Sequence, residues 1–295
     1  MKIAVNDELE LNYELDGDPA TEPVIVLTHG MGSSLRSWDD QVPHLRMNAE
    51  EPVPALAKHY AVLRWDVRGH GESDKPPGPY SPEMHARDLA GLLRALGISS
   101  AHVGGNSMGG AITQRFVLDY PELVASAFLL CTSSEVNERL ADAWEQRATI
   151  AETEGTAEAL RAAGSLANAN TPVRPLTEEE AQAGQQRTLQ IPGSVYAHVV
   201  RAMAYYNWTV ELSRITAPVL ILQGLQDTMT PPGGAVLIHR EIRGSQLIMM
   251  DQCSHAITHD QPEQWRRHLL NFLDGVVSWE PRLERPVQGQ EKRAQ

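Results

Sequence analysis

Cysteine is scarce in this chain. There are two in 295 residues, Cys131 and Cys253, each inside an apolar stretch. A disulfide framework is not implied, and the spacing fits no zinc site. The eleven histidines form no HExxH pair and no clustered ligand set, so no metal is expected. Basic residues are also short: 25 Lys and Arg stand against 38 Asp and Glu, for a formal net charge of -13. That balance argues against a nucleic-acid footprint and against an anionic membrane surface as partner. No apolar run approaches the roughly 20 residues of a membrane span. The opening stretch Met1–Glu8 lacks the apolar core of a signal peptide. A soluble cytoplasmic protein is the expectation.

What is present suits an enzyme-sized α/β domain. Apolar residues make up 42% and charged residues 21%, enough for a sizeable core and too little charge for disorder. The chain is organised around Val103-Gly104-Gly105-Asn106-Ser107-Met108-Gly109-Gly110-Ala111. A β-prone run enters it and the helix-prone run Ala111–Leu118 leaves it. Gly105-x-Ser107-x-Gly109 is a nucleophile-elbow pattern. The serine is forced into a strained turn, and the glycines remove the Cβ atoms that would clash there. The first turn of the next helix points free N–H groups at the same spot.

Other strands alternate with helical stretches. Residues 2–5 and 9–15 read as two antiparallel strands joined at Asn6-Asp7. Pro23–Thr28 is a continuous apolar run, as in a parallel strand buried on both faces. It ends in His29-Gly30-Met31-Gly32, where glycine lets a ligand approach backbone N–H groups; the N–H of Met31 is the candidate donor to an oxyanion. Residues between Trp38 and Tyr60 should be helical but broken by Pro43, Pro52 and Pro54, giving a surface excursion over 43–54. Tyr60–Asp66 is a further strand. Ser81-Pro82-Glu83 opens a helix that Gly97 stops. Val124–Cys131, Ala217–Gly224 and Ser245–Met250 are later strands, and Gln261-Pro262-Glu263 begins the final helix.

Residues 135–215 change character, with much Ala, Glu, Gln and Arg and breaks at Gly155, Gly164, Pro172, Pro175 and Pro192. They are expected to form a helical cap inserted between strands, with 1–134 and 216–278 as the core and 279–295 as a polar tail. Met203, Tyr205, Tyr206 and Trp208 are candidates for either cap core or pocket wall.

A strand–helix alternation implies a mostly parallel sheet with helices on both faces, and such sheets bind ligands beyond the carboxyl ends of their strands. The glycine loop after Leu27, Ser107, Asp227 and His255 all fall at such ends. Ser, Asp and His occur in the chain order of an α/β-hydrolase triad. In that reading Ser107 is the nucleophile, His255 its base, and Asp227 fixes the imidazole. The N–H groups of Met31 and Met108 are the oxyanion donors. His29, His70, His102 and His259 are weaker candidates for the base, and Asp251 for the acid.

These motifs resemble the α/β-hydrolase superfamily over roughly residues 3–275. They are His29-Gly30-x-Gly32, Asp66-x-Arg68-Gly69-His70-Gly71-x-Ser73, Gly105-Asn106-Ser107-Met108-Gly109-Gly110, Asp227 before Thr230-Pro231, and His255. Within it the chain looks most like 3-oxoadipate enol-lactonases and related cofactor-free esterases. The stretch Asp66–Tyr80, Thr132-Ser133 with Trp144-x-x-Arg147, and Ser254-His255 with Gln261-Pro262-Glu263 carry that likeness. The resemblance implies an eight-stranded α/β-hydrolase fold and a small-molecule ester or lactone as substrate. It also implies catalysis without cofactor or metal, and Gly30 and Trp144 beside the substrate. Carbon–carbon bond hydrolases of ring-cleavage products are similar at the elbow, but usually place tryptophan after the histidine, where this chain has Ala256. A non-hydrolytic binding protein on the same fold is the alternative from another class. Whether the chain forms a homo-oligomer is left open.

Overall fold

Eight strands form one sheet in the computed structural model, which describes residues 1–46, 60–163 and 171–277. They are β1 (Lys2–Asn6), β2 (Leu9–Asp16), β3 (Val24–Thr28), β4 (Ala61–Trp65), β5 (Ala101–Asn106), β6 (Val124–Leu130), β7 (Val219–Gly224) and β8 (Gln246–Met250). Their spatial order is β1-β2-β4-β3-β5-β6-β7-β8. β1 and β2 pair antiparallel, as do β2 and β4; every pairing from β4 across to β8 is parallel. This is the mostly parallel, eight-stranded α/β-hydrolase sheet that the sequence predicts.

The apolar strands are explained by the two-residue period of side chains. In β3, Val24 and Val26 face one core while Ile25 and Leu27 face the other. In β6, Ala127 and Leu129 go to the first core, and Phe128 and Leu130 to the second. The first core is covered by the helices Pro82–Ala95 and Met108–Asp119, through Leu89, Leu92, Leu93, Ile112 and Phe116. The second is covered by Pro262–Val277, through Trp265, Leu269 and Leu273. Each such side chain, taken fully out of water, stabilises the fold by roughly 1.5–3 kcal/mol. The helix Pro82–Ala95 begins as expected, with the Ser81 hydroxyl accepting from the Met84 N–H at 3.2 Å, and ends before Gly97 at φ 70°.

Strand order reverses between β3 and β5, so the loops after these two strands diverge and leave a crevice at their carboxyl ends. The segment after β3 forms a short 3-10 turn, Leu35–Trp38, and a helix, Val42–Arg46. Most of the expected excursion over 43–54 lies outside the described residues, as does the tail 279–295. Between β6 and β7 the described α-helices are Glu138–Glu154, Thr156–Ala162, Glu178–Leu189 and Gly193–Ala202, followed by a 3-10 turn, Val210–Arg214. Ala148 and Ala151 of the first pack with Val199 and Val200 of the last in a buried cluster.

Candidate active site

Ser107 stands between β5 and the helix Met108–Asp119, with φ 56° and ψ -117°. That left-handed backbone is costly for any residue with a Cβ. The glycines on either side allow the turn to pack against its neighbour. A methyl group on Gly105 would lie 2.4 Å from the carbonyl oxygen of Thr28, and one on Gly109 only 2.2 Å from it. The elbow therefore lies directly on the end of β3, and the loop following β3 comes up against the serine. A Cβ on Gly30 would be 3.6 Å from Ser107 Cβ.

Asp227 follows β7 and His255 follows β8, and the two meet. His255 Nδ1 donates to Asp227 Oδ2 at 2.9 Å. The same oxygen accepts from the Thr230 hydroxyl at 2.7 Å and from Gln223 Nε2 at 3.1 Å. Asp227 Oδ1 accepts the N–H groups of Met229 and Thr230, both at 2.9 Å. Burial pushes this carboxyl up, but the hydrogen bonds from His255 and Thr230 outweigh it and hold the group below the usual carboxylate range. An ionised partner at Nδ1 keeps the proton on that nitrogen and leaves Nε2 with a free lone pair. The loop carrying the imidazole is braced by Asp260, whose Oδ2 accepts from the N–H and hydroxyl of Ser254 at 2.8 and 2.6 Å.

A cavity of about 680 Å³ opens at this edge. Gly30, Met31, Ser107, Met108 and His255 form its sheet side, and Trp144, Arg147, Gln185, Thr188 and Tyr196 contribute from the inserted helices. The structure thus places six of the seven candidate site residues on one cavity, with Asp227 buried behind His255. Ser107 and His255 line the same cavity without a hydrogen bond between them. Of the four aromatic and sulfur side chains left undecided by the sequence, Met203 and Tyr206 line the cavity, Trp208 is buried, and Tyr205 is 66% exposed.

The other histidines have different work. His29 Nε2 accepts the Val67 N–H at 3.0 Å, so its proton sits on Nδ1, which donates to the Gly30 carbonyl at 2.8 Å. His70 Nε2 accepts the Gly32 N–H at 3.2 Å, and its Nδ1 donates to Arg68 O. Burial lowers the pKa of both, His70 more severely, so both stay neutral and act on backbone. His102 Nδ1 pairs with the Ser126 hydroxyl at 2.8 Å. His259 is engaged with Arg174, whose guanidinium lies 2.7 Å from its Nδ1. Asp251 is exposed and accepts from Gln226, leaving Asp227 as the partner of His255.

Gly30 and Met31 share one peptide plane. Its carbonyl is held by His29 Nδ1 and by the Ser33 N–H at 3.2 Å, so in a trans peptide the Met31 N–H is aimed the opposite way. Met108 is the first residue of its helix, and its N–H has no intrahelical acceptor. Sequence reasoning missed the part played by Thr230. The available signal was its place three residues after Asp227, the spacing at which a short side chain can close a turn onto a carboxylate.

A model of the alpha/beta hydrolase fold family matches residues 23–262. The 3-oxoadipate enol-lactonase 2 of Acinetobacter baylyi is 27% identical over 263 residues, covering 87% of this chain and 90% of that protein. A putative carbamate hydrolase, RutD, of Azorhizobium caulinodans is 27% identical over 281 residues, covering 94% and 99%. Among solved structures, the enol-lactonase from Burkholderia xenovorans has a TM-score of 0.79 at 27% identity, covering 92% of this chain and 98% of that one.

Proposed function

Because this chain belongs to the α/β-hydrolase fold family, we propose that it is a serine hydrolase that cleaves a small carboxylic ester or lactone. The observation that carries the proposal is the His255–Asp227 pair at 2.9 Å, set in the wall of a cavity that also holds the strained Ser107. Ser107 Oγ attacks the carbonyl carbon while His255 Nε2 takes its proton. Asp227 keeps the ring in register and stabilises the imidazolium. The N–H groups of Met31 and Met108 receive the oxyanion; one such donor is worth about 3–4 kcal/mol in the transition state. His255 then returns the proton to the departing alcohol. Water, deprotonated by the same nitrogen, attacks the acyl-enzyme, and the acid leaves. With a lactone, the alcohol and the acid are two ends of one product.

In this reading the inserted helices form a cap over the cavity, and Trp144 lies beside the substrate. Arg147 narrows the substrate class. Its guanidinium carbon lies 5.4 Å from the Trp144 ring centre and 5.3 Å from that of Tyr196, within cation–π range. Arg64, Arg68, Arg115 and Arg201 all face carboxylates. Arg147 has no carboxylate partner among the described residues, and its Nε is buried without a hydrogen bond. A substrate bearing a carboxylate away from its reacting carbonyl satisfies that cation.

Ser107→Ala assayed with p-nitrophenyl acetate tests the proposal. Turnover should fall by roughly 10⁴-fold or more; unchanged turnover removes Ser107 from the chemistry. Since relatives of equal identity are named for a lactone and for a carbamate, the panel that follows should contain both bonds.

A further inference from the structure

The cap touches the glycine loop at one well-defined polar point. The Thr188 hydroxyl, near the end of the helix Glu178–Leu189, donates to the carbonyl of Gly32 at 2.7 Å. The alternative acceptor in its own helix, Gly184 O, is farther away at 3.5 Å. Gly32 has φ 73°, and a Cβ there would lie 2.9 Å from Thr188 Oγ1 and 3.0 Å from its Cγ2. The absence of a side chain is what admits the helix to this distance.

The other fastenings of these glycines come from the loop itself and from the core. The Gly30 carbonyl is held by His29 and by the Ser33 N–H, and the Gly32 N–H by His70. Thr188 adds one from the inserted helices, to the carbonyl of the Gly32–Ser33 peptide. A shift of the cap helix releases the carbonyl end of the Gly32–Ser33 peptide, whose other end, the Ser33 N–H, holds the carbonyl of the peptide that carries the Met31 N–H. The bonds from His29 to the Gly30 carbonyl and from the Gly32 N–H to His70 do not depend on Thr188, so its loss loosens the loop without unfastening it.

We propose that Thr188 is a positioning residue that ties the cap to the glycine loop and tightens the alignment of the Met31 N–H that the loop's own hydrogen bonds set. This rests on the serine-hydrolase reading for the role of Met31, though the tie itself does not. The arrangement places an oxyanion donor under control of the element that covers the substrate.

Thr188→Val keeps the shape and removes the donor; Thr188→Ser keeps the donor. Both are compared with the parent chain on p-nitrophenyl acetate, and by hydrogen–deuterium exchange over residues 29–36. For Thr188→Val, kcat should fall about tenfold with KM changed by less than about twofold, a smaller loss than the 10²–10³ seen when an oxyanion donor is deleted outright. Exchange over 29–36 should quicken, and Thr188→Ser should restore both readouts. Loss carried by KM, an unaltered kcat, or equal damage in the serine variant would overturn the proposal. If Ser107→Ala still turned over the ester, the hydrolase reading would fail. Faster exchange in Thr188→Val, reversed by Thr188→Ser, would still uphold the tie, and unchanged exchange would refute it.

Discussion

Asp227, fully buried, and Arg147, half-buried at the cavity, show two opposite fates of a charge. Asp227 is surrounded by five donors from His255, Thr230, Gln223 and Met229. Its charge is fully spoken for, and it can polarise only the imidazole. Arg147 is half-buried, faces two rings and the cavity, and leaves its buried Nε without a hydrogen bond, so a ligand carboxylate has a donor to meet there. The proposal for Arg147 has a direct check in matched substrates: the mono-p-nitrophenyl ester of adipic acid and p-nitrophenyl hexanoate, equal in acyl length and different in terminal charge. The parent should favour the anionic ester in kcat/KM, and Arg147→Met should lower that preference by roughly tenfold or more, the loss expected for one charge-assisted hydrogen bond or ion pair of about 1.5–3 kcal/mol. A preference that the substitution leaves untouched would show that the cation only packs against Trp144 and Tyr196.

The elbow depends on two elements coming closer than side chains permit. Gly109 opens the second position of its helix, and a methyl group there would meet the carbonyl oxygens of Thr28 at 2.2 Å and His29 at 2.8 Å. Both are backbone atoms of a central strand and its loop, and neither can move aside without dragging the sheet. Gly109→Ala should therefore lower Tm by about 5 °C or more, from overpacking of at least 1–3 kcal/mol. Gly233→Ala is the control. It lies in the helix Pro232–Glu241 with nothing within 4 Å of its would-be Cβ. There the better helix propensity of alanine predicts a change between zero and a gain of about 1 kcal/mol. Equal Tm values for the two variants would mean that the elbow is not held against β3.

At the scale of the whole molecule, four buried histidines set the response to acid. Burial lowers the pKa of His29 and His70, takes His102 down to about 4 and His85 down to about 3. His85 is the plainest case, since neither ring nitrogen has a hydrogen-bond partner. The unfolded chain takes up these protons near pH 6.5 and the folded chain does not. Stability is thus complete above about 6.5 and falls as pH drops toward the folded values, by up to about 1.4 kcal/mol per pH unit for each histidine. Asp227, with its folded pKa lowered, adds a loss of the same sign at still lower pH. Acid also titrates away the net charge of -13, which relieves self-repulsion. That effect is spread over an exposed surface and screened beyond a Debye length of about 8 Å at physiological salt, so the buried histidines win. Urea midpoints should be level from pH 8 to 7 and decline steadily from 6.5 to 4.5. A midpoint constant down to pH 5 would contradict this.

The sequence by itself determined the sheet, the elbow and the order of the three candidate catalytic residues. These features are written locally: a two-residue apolar period buries both faces of a strand, glycine supplies a missing Cβ, and a strand's end fixes which loop carries a polar side chain. Asp227 could even be preferred to Asp251 from the strand that precedes it. What the local chain does not encode is which distant segments meet. Thr188 and Gly32 are 156 residues apart, and nothing in either neighbourhood announces the other. Likewise Tyr205 and Tyr206 are adjacent and chemically alike, yet one faces solvent and the other the cavity. Only the packing of the inserted helices on the sheet chose between them, because a side chain's surroundings belong to the fold and not to its sequence neighbours.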